Sequence, residues 1–201
     1  MVLMFFQSEI FSHLFITFVY FFLVSILRFK LDWGLLNLWL GALVGTFFLD
    51  IDHFVYWFIT HPEEEDSQEA KEIVSGFGGV GSIRGVVGKI KKLFFLVQKV
   101  HNSHNRLILH SVIGQVILFV LTVFVITSGG SIFGAAFIMA INLHLLKDEW
   151  TDYLKNKAHL ADWLFWQVRE PRLKEYLGEY LVAASLIFLG LTVAIASHIV
   201  T

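Results

Sequence analysis

Three short segments of this 201-residue chain carry aspartate and histidine residues among apolar neighbours. They are Asp50-Ile51-Asp52-His53, Arg106-Leu107-Ile108-Leu109-His110 and His144-Leu145-Leu146-Lys147-Asp148. Imidazole and carboxylate groups are the side chains that bind divalent metal ions where cysteine is absent, and this chain contains 0 cysteines. The segments therefore predict a metal site built from nitrogen and oxygen ligands.

The spacing within the segments supports this interpretation. His144 and Asp148 are four residues apart, so on a helix they share one face and one cation can bridge them. Asp50 and His53, three residues apart, share a face in the same way. Asp52 points elsewhere if its helix continues and joins them only if the helix unwinds there. Each pattern alone is weak evidence, whereas the three together are strong.

The composition indicates that the segments belong to an integral membrane protein. Hydrophobic residues make up 56% of the chain and charged residues only 16%, against about one-quarter in ordinary soluble domains. A net charge of -2 offers no broad basic surface, so we expect no nucleic-acid partner. Ionisable groups within membrane-spanning helices are costly and mark functional sites.

Five apolar runs approach or exceed the roughly 20 residues that a membrane-spanning helix needs. The runs are Phe5–Leu27, Leu35–Ile59, Leu107–Ile126, Ser131–Leu146 and Tyr180–Val200. The first run is too long for a signal-peptide core, so we expect a retained anchor. The prediction is an all-α, polytopic membrane bundle of about five transmembrane helices, with residues 1–201 forming a single membrane-embedded domain surrounded by membrane lipids.

Two long connections, residues 60–106 and 147–176, hold most of the 15 lysine and arginine residues. The positive-inside rule therefore places both connections in the cytoplasm, with the N-terminus inside and the C-terminus outside the inner membrane. All three Asp/His segments then meet at the cytoplasmic face. The second connection also carries aromatic residues typical of a membrane interface: Trp163, Trp166 and Tyr176.

The first connection has three parts of different composition. Glu63-Glu64-Glu65-Asp66 predicts the start of a solvated helix, and the glycine-rich segment Gly76–Gly88 predicts a flexible hinge rather than a phosphate-binding loop. Val86–Val100 predicts a basic amphipathic helix, either at the level of the lipid headgroups or packed against the bundle.

The candidate site follows from these placements. The candidate ligands are Asp50, Asp52, His53, His104, His110, His144 and Asp148. We expect one or two divalent ions, zinc first and manganese or magnesium as alternatives. Asp52 is also a candidate general base, and Arg106 a candidate for stabilising developing negative charge or binding a phosphate. Four histidines lack a partner at suitable spacing and are left out: His13, His61, His159 and His198.

Some of these residues also fit structural roles. Asp50 can form a buried ion pair with Arg106 or Lys147, and His110 can be a hydrogen-bonded packing residue. His104, like His101, equally suits solvent exposure. Asp152 fits either a partner of the His144/Asp148 pair or a solvated residue. Glu149 is expected to point away from the pair.

The ordered motifs resemble the YdjM-like family of inner-membrane metal-dependent hydrolases. The shared features are Gly41, Asp50-Ile51-Asp52-His53, Arg106-Leu107-Ile108-Leu109-His110-Ser111 and His144-Leu145-Leu146-Lys147-Asp148. The departures from the family pattern are Leu49 for a proline, Leu107 and Leu109 for a glycine and a threonine, and Asn105 for a histidine, with His104 one residue earlier. The resemblance implies that Asp50, Asp52, His53, His110, His144 and Asp148 bind the metal.

The expected function is metal-dependent hydrolysis of a phospholipid or other amphiphilic (phospho)ester by activated water at the cytoplasmic face. The alternative is a non-catalytic metal-binding membrane scaffold or regulatory protein with an unidentified protein partner. In a third interpretation, the Asp and His side chains only pair with lysine and arginine for assembly. Transport is disfavoured because no polar path continues across the membrane.

Overall fold

The computed structural model describes residues 2–76, 83–100, 106–128, 130–168 and 170–200, and there is no strand among them. The elements are α1 (Val2–Arg28), α2 (Trp33–Phe48), α3 (Ile51–Val55), a π-helical turn (Tyr56–Thr60), α4 (Glu65–Ser75), α5 (Ile83–Val100), α6 (Val112–Ser128), α7 (Ile132–Lys155), α8 (Lys157–Leu164), a 3₁₀ helix (Pro171–Tyr176) and α9 (Leu177–Val200). The prediction of an all-helical protein is confirmed.

Three segments of the described residues are long and apolar enough to cross a membrane. They are Ile10–Arg28, Trp33–Thr60 and Arg172–Ala196. Helix α6 is a shorter apolar helix of 17 residues. The structure therefore supports membrane association through three of the five predicted spans.

Helix α7 lies at the centre of the bundle and packs against α1, α2, α6, α8 and α9. Because neighbours surround it, α7 buries polar as well as apolar side chains. The buried polar residues of α7 are Asn142, His144, Asp148, Glu149 and Asp152. These groups face other helices rather than lipid, which makes their burial tolerable in a membrane protein.

Small residues bring α2 and α7 into close contact. A Cβ atom added to Gly41 would collide with the carbonyl oxygen of Phe133, and one added to Gly45 would collide with that of Phe137. Glycines four residues apart allow this approach of two backbones inside a membrane. The approach fixes the C-terminal end of α2 beside the polar part of α7.

Several helix boundaries differ from the prediction. The run Leu35–Ile59 is interrupted between α2 and α3, and α6 begins at Val112 rather than Leu107. The later start of α6 has a local cause, because the Ser111 hydroxyl accepts a hydrogen bond from the Gly114 N–H at 3.2 Å and so caps the helix. Helix α7 continues nine residues beyond the predicted end at Leu146, to Lys155.

The connection after α3 folds into a helical hairpin. Helices α4 and α5 pack against the π-helical turn through a small apolar cluster: Trp57, Ala70, Leu93, Leu96 and Val97. The acidic and amphipathic helices predicted here are confirmed as helices. Within the predicted glycine-rich hinge, residues 83–88 are helical, of which 86–88 also belong to the predicted amphipathic helix, and residues 77–82 lie outside the described residues.

Candidate metal centre

The site begins where the helix of the second predicted span is interrupted, at Leu49 and Asp50. The Asp52 N–H bonds to the Leu49 carbonyl at 3.0 Å, and the His53 N–H bonds to the Asp50 carbonyl at 3.2 Å. These bonds span three residues instead of four, so the chain turns more tightly here. Asp50 and Asp52 contact different histidines, His144 and His110, so Asp52 does not join Asp50 as it was expected to do in an unwound helix.

Three residues from α1 and α7 form what we call the His13 group: His13, His144 and Asp148. Asp148 Oδ1 lies 3.1 Å from His13 Nε2, and Asp148 Oδ2 lies 3.1 Å from His144 Nε2. The two imidazole rings have centroids 3.9 Å apart. One ligand atom from each residue lies within 4.8 Å of the others, which is a spacing that suits a single metal ion.

Two charged side chains border the His13 group. Asp50 Oδ1 lies 3.9 Å from His144 Nε2, and the Asp50 side chain is 25% exposed. Lys147 Nζ lies 2.9 Å from His13 Nε2 and 3.1 Å from Asp148 Oδ1. Asp50 thus adds a second carboxylate on the accessible side, while Lys147 adds a positive charge beside Asp148.

Asp52 and His110 form a second pair, which we call the Asp52 pair. Asp52 Oδ2 accepts hydrogen bonds from the backbone N–H groups of Leu109 at 2.6 Å and His110 at 3.3 Å, and lies 3.3 Å from His110 Nδ1. Asp52 therefore fixes both the backbone and the ring of His110. The other ring nitrogen, Nε2, is buried without a hydrogen-bond partner among the described residues.

The His13 group and the Asp52 pair are neighbours. The ring centroids of His110 and His144 are 6.3 Å apart, and those of His53 and His110 are 6.2 Å apart. The structure thus brings together all three predicted segments. The i,i+4 contact predicted for His144 and Asp148 is confirmed, whereas the role of each residue as a ligand stays a prediction.

The ring nitrogens of His144 and His110 fit metal binding. His144 Nδ1 lies 2.5 Å from the Thr46 carbonyl oxygen, which can only accept, so Nδ1 carries a proton and Nε2 is the nitrogen left to face Asp148 or a metal ion. The carboxylate of Asp52 selects the same tautomer for His110. Metal-binding histidines are held in this way, with one nitrogen donating to an oxygen and the other facing the ion. The residues present therefore fit a divalent ion.

Other predicted residues lie elsewhere. His104 and His101 fall outside the described residues, and the Arg106 side chain is exposed. Asp152 accepts a hydrogen bond from Trp163 Nε1 at 2.8 Å, which binds α8 to α7. Glu149 does point away from the His13 group, but it is buried and accepts hydrogen bonds from Gln115 and Tyr180.

His13 is the residue that sequence reasoning missed. It was left out because it has no partner at helical spacing, and its contact with Lys147 spans 134 residues of sequence. A signal was nevertheless present, since His13 is an ionisable residue inside an apolar run long enough to cross a membrane. The cost of placing such a residue in a membrane makes it a candidate for the site even without a local partner.

Comparison with known proteins adds no relative. No family model, curated protein or solved structure gives a significant match to the chain. The resemblance of its motifs to the YdjM-like family therefore stays a prediction.

Proposed function

We propose that this protein is a membrane-embedded metal-dependent hydrolase with its site at the cytoplasmic face of the inner membrane. The observation that carries the proposal is the His13 group, with the Asp52 pair beside it. The motif order shared with the YdjM-like family supports the same activity. We propose that α6 and α7 also cross the membrane, which gives five spans. With the two basic connections in the cytoplasm, the N-terminus is inside and the C-terminus is outside.

The proposed site holds one or two divalent ions. His13, His144 and Asp148 would hold the first, and His110 offers a further buried nitrogen. When bound, such an ion polarises a scissile ester and activates a water molecule. Zinc is the ion we propose, because mixed imidazole and carboxylate ligands suit it better than magnesium or calcium.

We assign the proton-accepting role to Asp50 rather than Asp52. The Asp52 side chain is 2% exposed, and its Oδ2 atom already accepts two backbone hydrogen bonds. Asp50 is accessible to water and lies beside His144. A general base must reach the proton it removes, so Asp50 accepts the proton of the attacking water while Asp52 positions His110.

The substrate we propose is a phospholipid or another amphiphilic ester. A site at the end of membrane-crossing helices admits a molecule that already lies in the leaflet. The exposed guanidinium of Arg106, four residues before His110, is suited to a phosphate or a developing oxyanion.

The test is elemental analysis of purified protein, followed by assays with phosphoester and carboxylic-ester lipids. We expect stoichiometric metal in the parent and its loss in His13→Ala and Asp148→Ala. His61→Ala is the matched control, because its ring stacks on Tyr56 outside the His13 group and the metal should be retained. Absence of metal after reconstitution with zinc or manganese would contradict the proposal.

The second candidate function is a metal-binding membrane scaffold without catalysis. Its support is the burial of the His13 group. The side chains of His144 and Asp148 are only 4% and 3% exposed, so a substrate has little access to an ion held there. A bound ion with no turnover of any lipid ester, in protein whose metal is stoichiometric, would favour the scaffold over the hydrolase.

A further inference from the structure

One side of helix α5 exposes a continuous apolar stripe. Its members are Ile83, Val87, Ile90 and Phe94, with exposures of 85%, 45%, 43% and 36%. Their spacing of four, three and four residues aligns them along one line of the helix. A large apolar surface of this kind indicates a binding partner.

The stripe borders the face by which α5 packs on the protein. That face consists of Leu93, Leu96 and Val97, which are buried against Trp57 and Ala70. The sequence left open whether this helix lies at the headgroups or packs against the bundle. The structure gives α5 one broad apolar surface, of which one side is packed and the other is exposed.

Charge distinguishes α5 from its hairpin partner. Helix α5 exposes Arg84, Lys91, Lys92 and Lys99 and contains no acidic residue, whereas α4 exposes Glu65, Glu69 and Glu72. The two sets meet where Lys99 Nζ lies 3.1 Å from Glu69 Oε2. An anionic surface attracts the α5 side of this hairpin and repels the α4 side.

The stripe also continues into the lipid-facing surface of a membrane-crossing helix. The Phe94 ring contacts the ring of Phe47 on α2, with centroids 6.1 Å apart. The neighbouring α2 residues Val44 and Phe48 are 47% and 38% exposed. Helix α5 therefore lies against the part of α2 that faces lipid.

We propose that α5 binds the anionic phospholipids of the membrane surface. The stripe inserts at the boundary between headgroups and acyl chains, and Arg84 and Lys91, which flank the stripe, contact lipid phosphates. This surface would let the protein respond to the charge of the leaflet whether or not it is a hydrolase.

The test uses single-cysteine spin labels, for which the natural absence of cysteine is convenient. Ile90→Cys on the stripe and Glu72→Cys on α4 are each labelled with a nitroxide in the full-length protein. The protein is reconstituted in phosphatidylcholine vesicles with or without phosphatidylglycerol. Collision of the label with a water-soluble nickel chelate is then compared with collision with oxygen.

We expect phosphatidylglycerol to lower nickel access at position 90 at least fivefold and to leave position 72 unchanged. Each basic residue near an anionic surface contributes about a fivefold effect on binding, so adding Arg84→Gln and Lys91→Gln should restore most of the access. Equal access at position 90 in both lipids would overturn the proposal.

Discussion

At the proposed metal site, the side chains of Asp52 and His110 form a pair in which a buried carboxylate orients a candidate ligand. Asp52 Oδ2 accepts from two backbone N–H groups and faces His110 Nδ1, so removing it frees both the ring and the turn that carries the ring. We expect Asp52→Ala to weaken zinc affinity about 10- to 100-fold, the usual cost of losing a residue that orients a ligand.

A chelator-competition titration of detergent-purified protein measures this effect. Asp162→Ala is the matched control, because Asp162 is an exposed aspartate paired with Lys174 on the surface and should not affect zinc affinity. Unchanged affinity in Asp52→Ala would show that His110 does not depend on this carboxylate for its role in binding.

Lys147 acts on the same site through its charge. Its ammonium lies 2.9 Å from His13 Nε2 and 3.1 Å from Asp148 Oδ1, where it repels any cation bound by the two residues. We expect Lys147→Met to raise zinc affinity about tenfold, since like charges a few ångströms apart interact by about 1–4 kcal/mol outside the driest interiors. Lys155→Met, on the exposed end of α7, is the control and should leave affinity unchanged. A fall in affinity for Lys147→Met would indicate that Lys147 supports binding instead of opposing it.

Among the helices, the contact between α2 and α7 decides whether the site forms. Gly45 lies one residue before Thr46, whose carbonyl holds the His144 ring, so the approach of these backbones also sets the position of His144. We expect Gly45→Ala to cost about 1–3 kcal/mol of stability, as overpacking of a close contact does. It should also weaken metal binding by displacing His144 from Thr46.

Thermal unfolding in detergent, with zinc binding as a second readout, tests this expectation. Gly190→Ala in α9 is a suitable control, because a Cβ atom there meets no other atom within 4 Å and the change should be neutral or slightly stabilising. If Gly45→Ala were as stable as Gly190→Ala, the close approach of α2 and α7 would not limit the fold.

The sequence predicted the helices well and their ends less well, for a physical reason. Apolar runs of this length allow little besides helices in a membrane, so each run contains a helix in the structure. The end of α7 could not be predicted from the local sequence, because the charged residues Asp148 and Asp152 indicate the end of an apolar run. They continue the helix because α1 and α8 cover them, as the contacts of Asp148 with His13 and of Asp152 with Trp163 demonstrate.

At the scale of the whole molecule, the proposed metal would join helices that are distant in sequence. His13 comes from the N-terminal half of α1, and His144 and Asp148 come from the C-terminal half of α7, so the site requires these two halves to lie on the same side of the membrane. In the proposed topology, His13 and α4 lie on the cytoplasmic side and the connection between α1 and α2 lies outside.

This arrangement predicts a labelling pattern. In intact cells, a membrane-impermeant maleimide should modify Leu31→Cys, whose side chain is 94% exposed between α1 and α2. It should modify Glu72→Cys on α4 only after the cells are permeabilised, because the basic connection around it stays in the cytoplasm. The Cys-free parent provides the background. If Glu72→Cys is labelled in intact cells and Leu31→Cys is not, the site lies outside. If both are labelled in intact cells, both positions lie outside, and an even number of spans separates them. Either result would remove a cytoplasmic-leaflet substrate and leave only outer-leaflet or extracellular esters for the hydrolase.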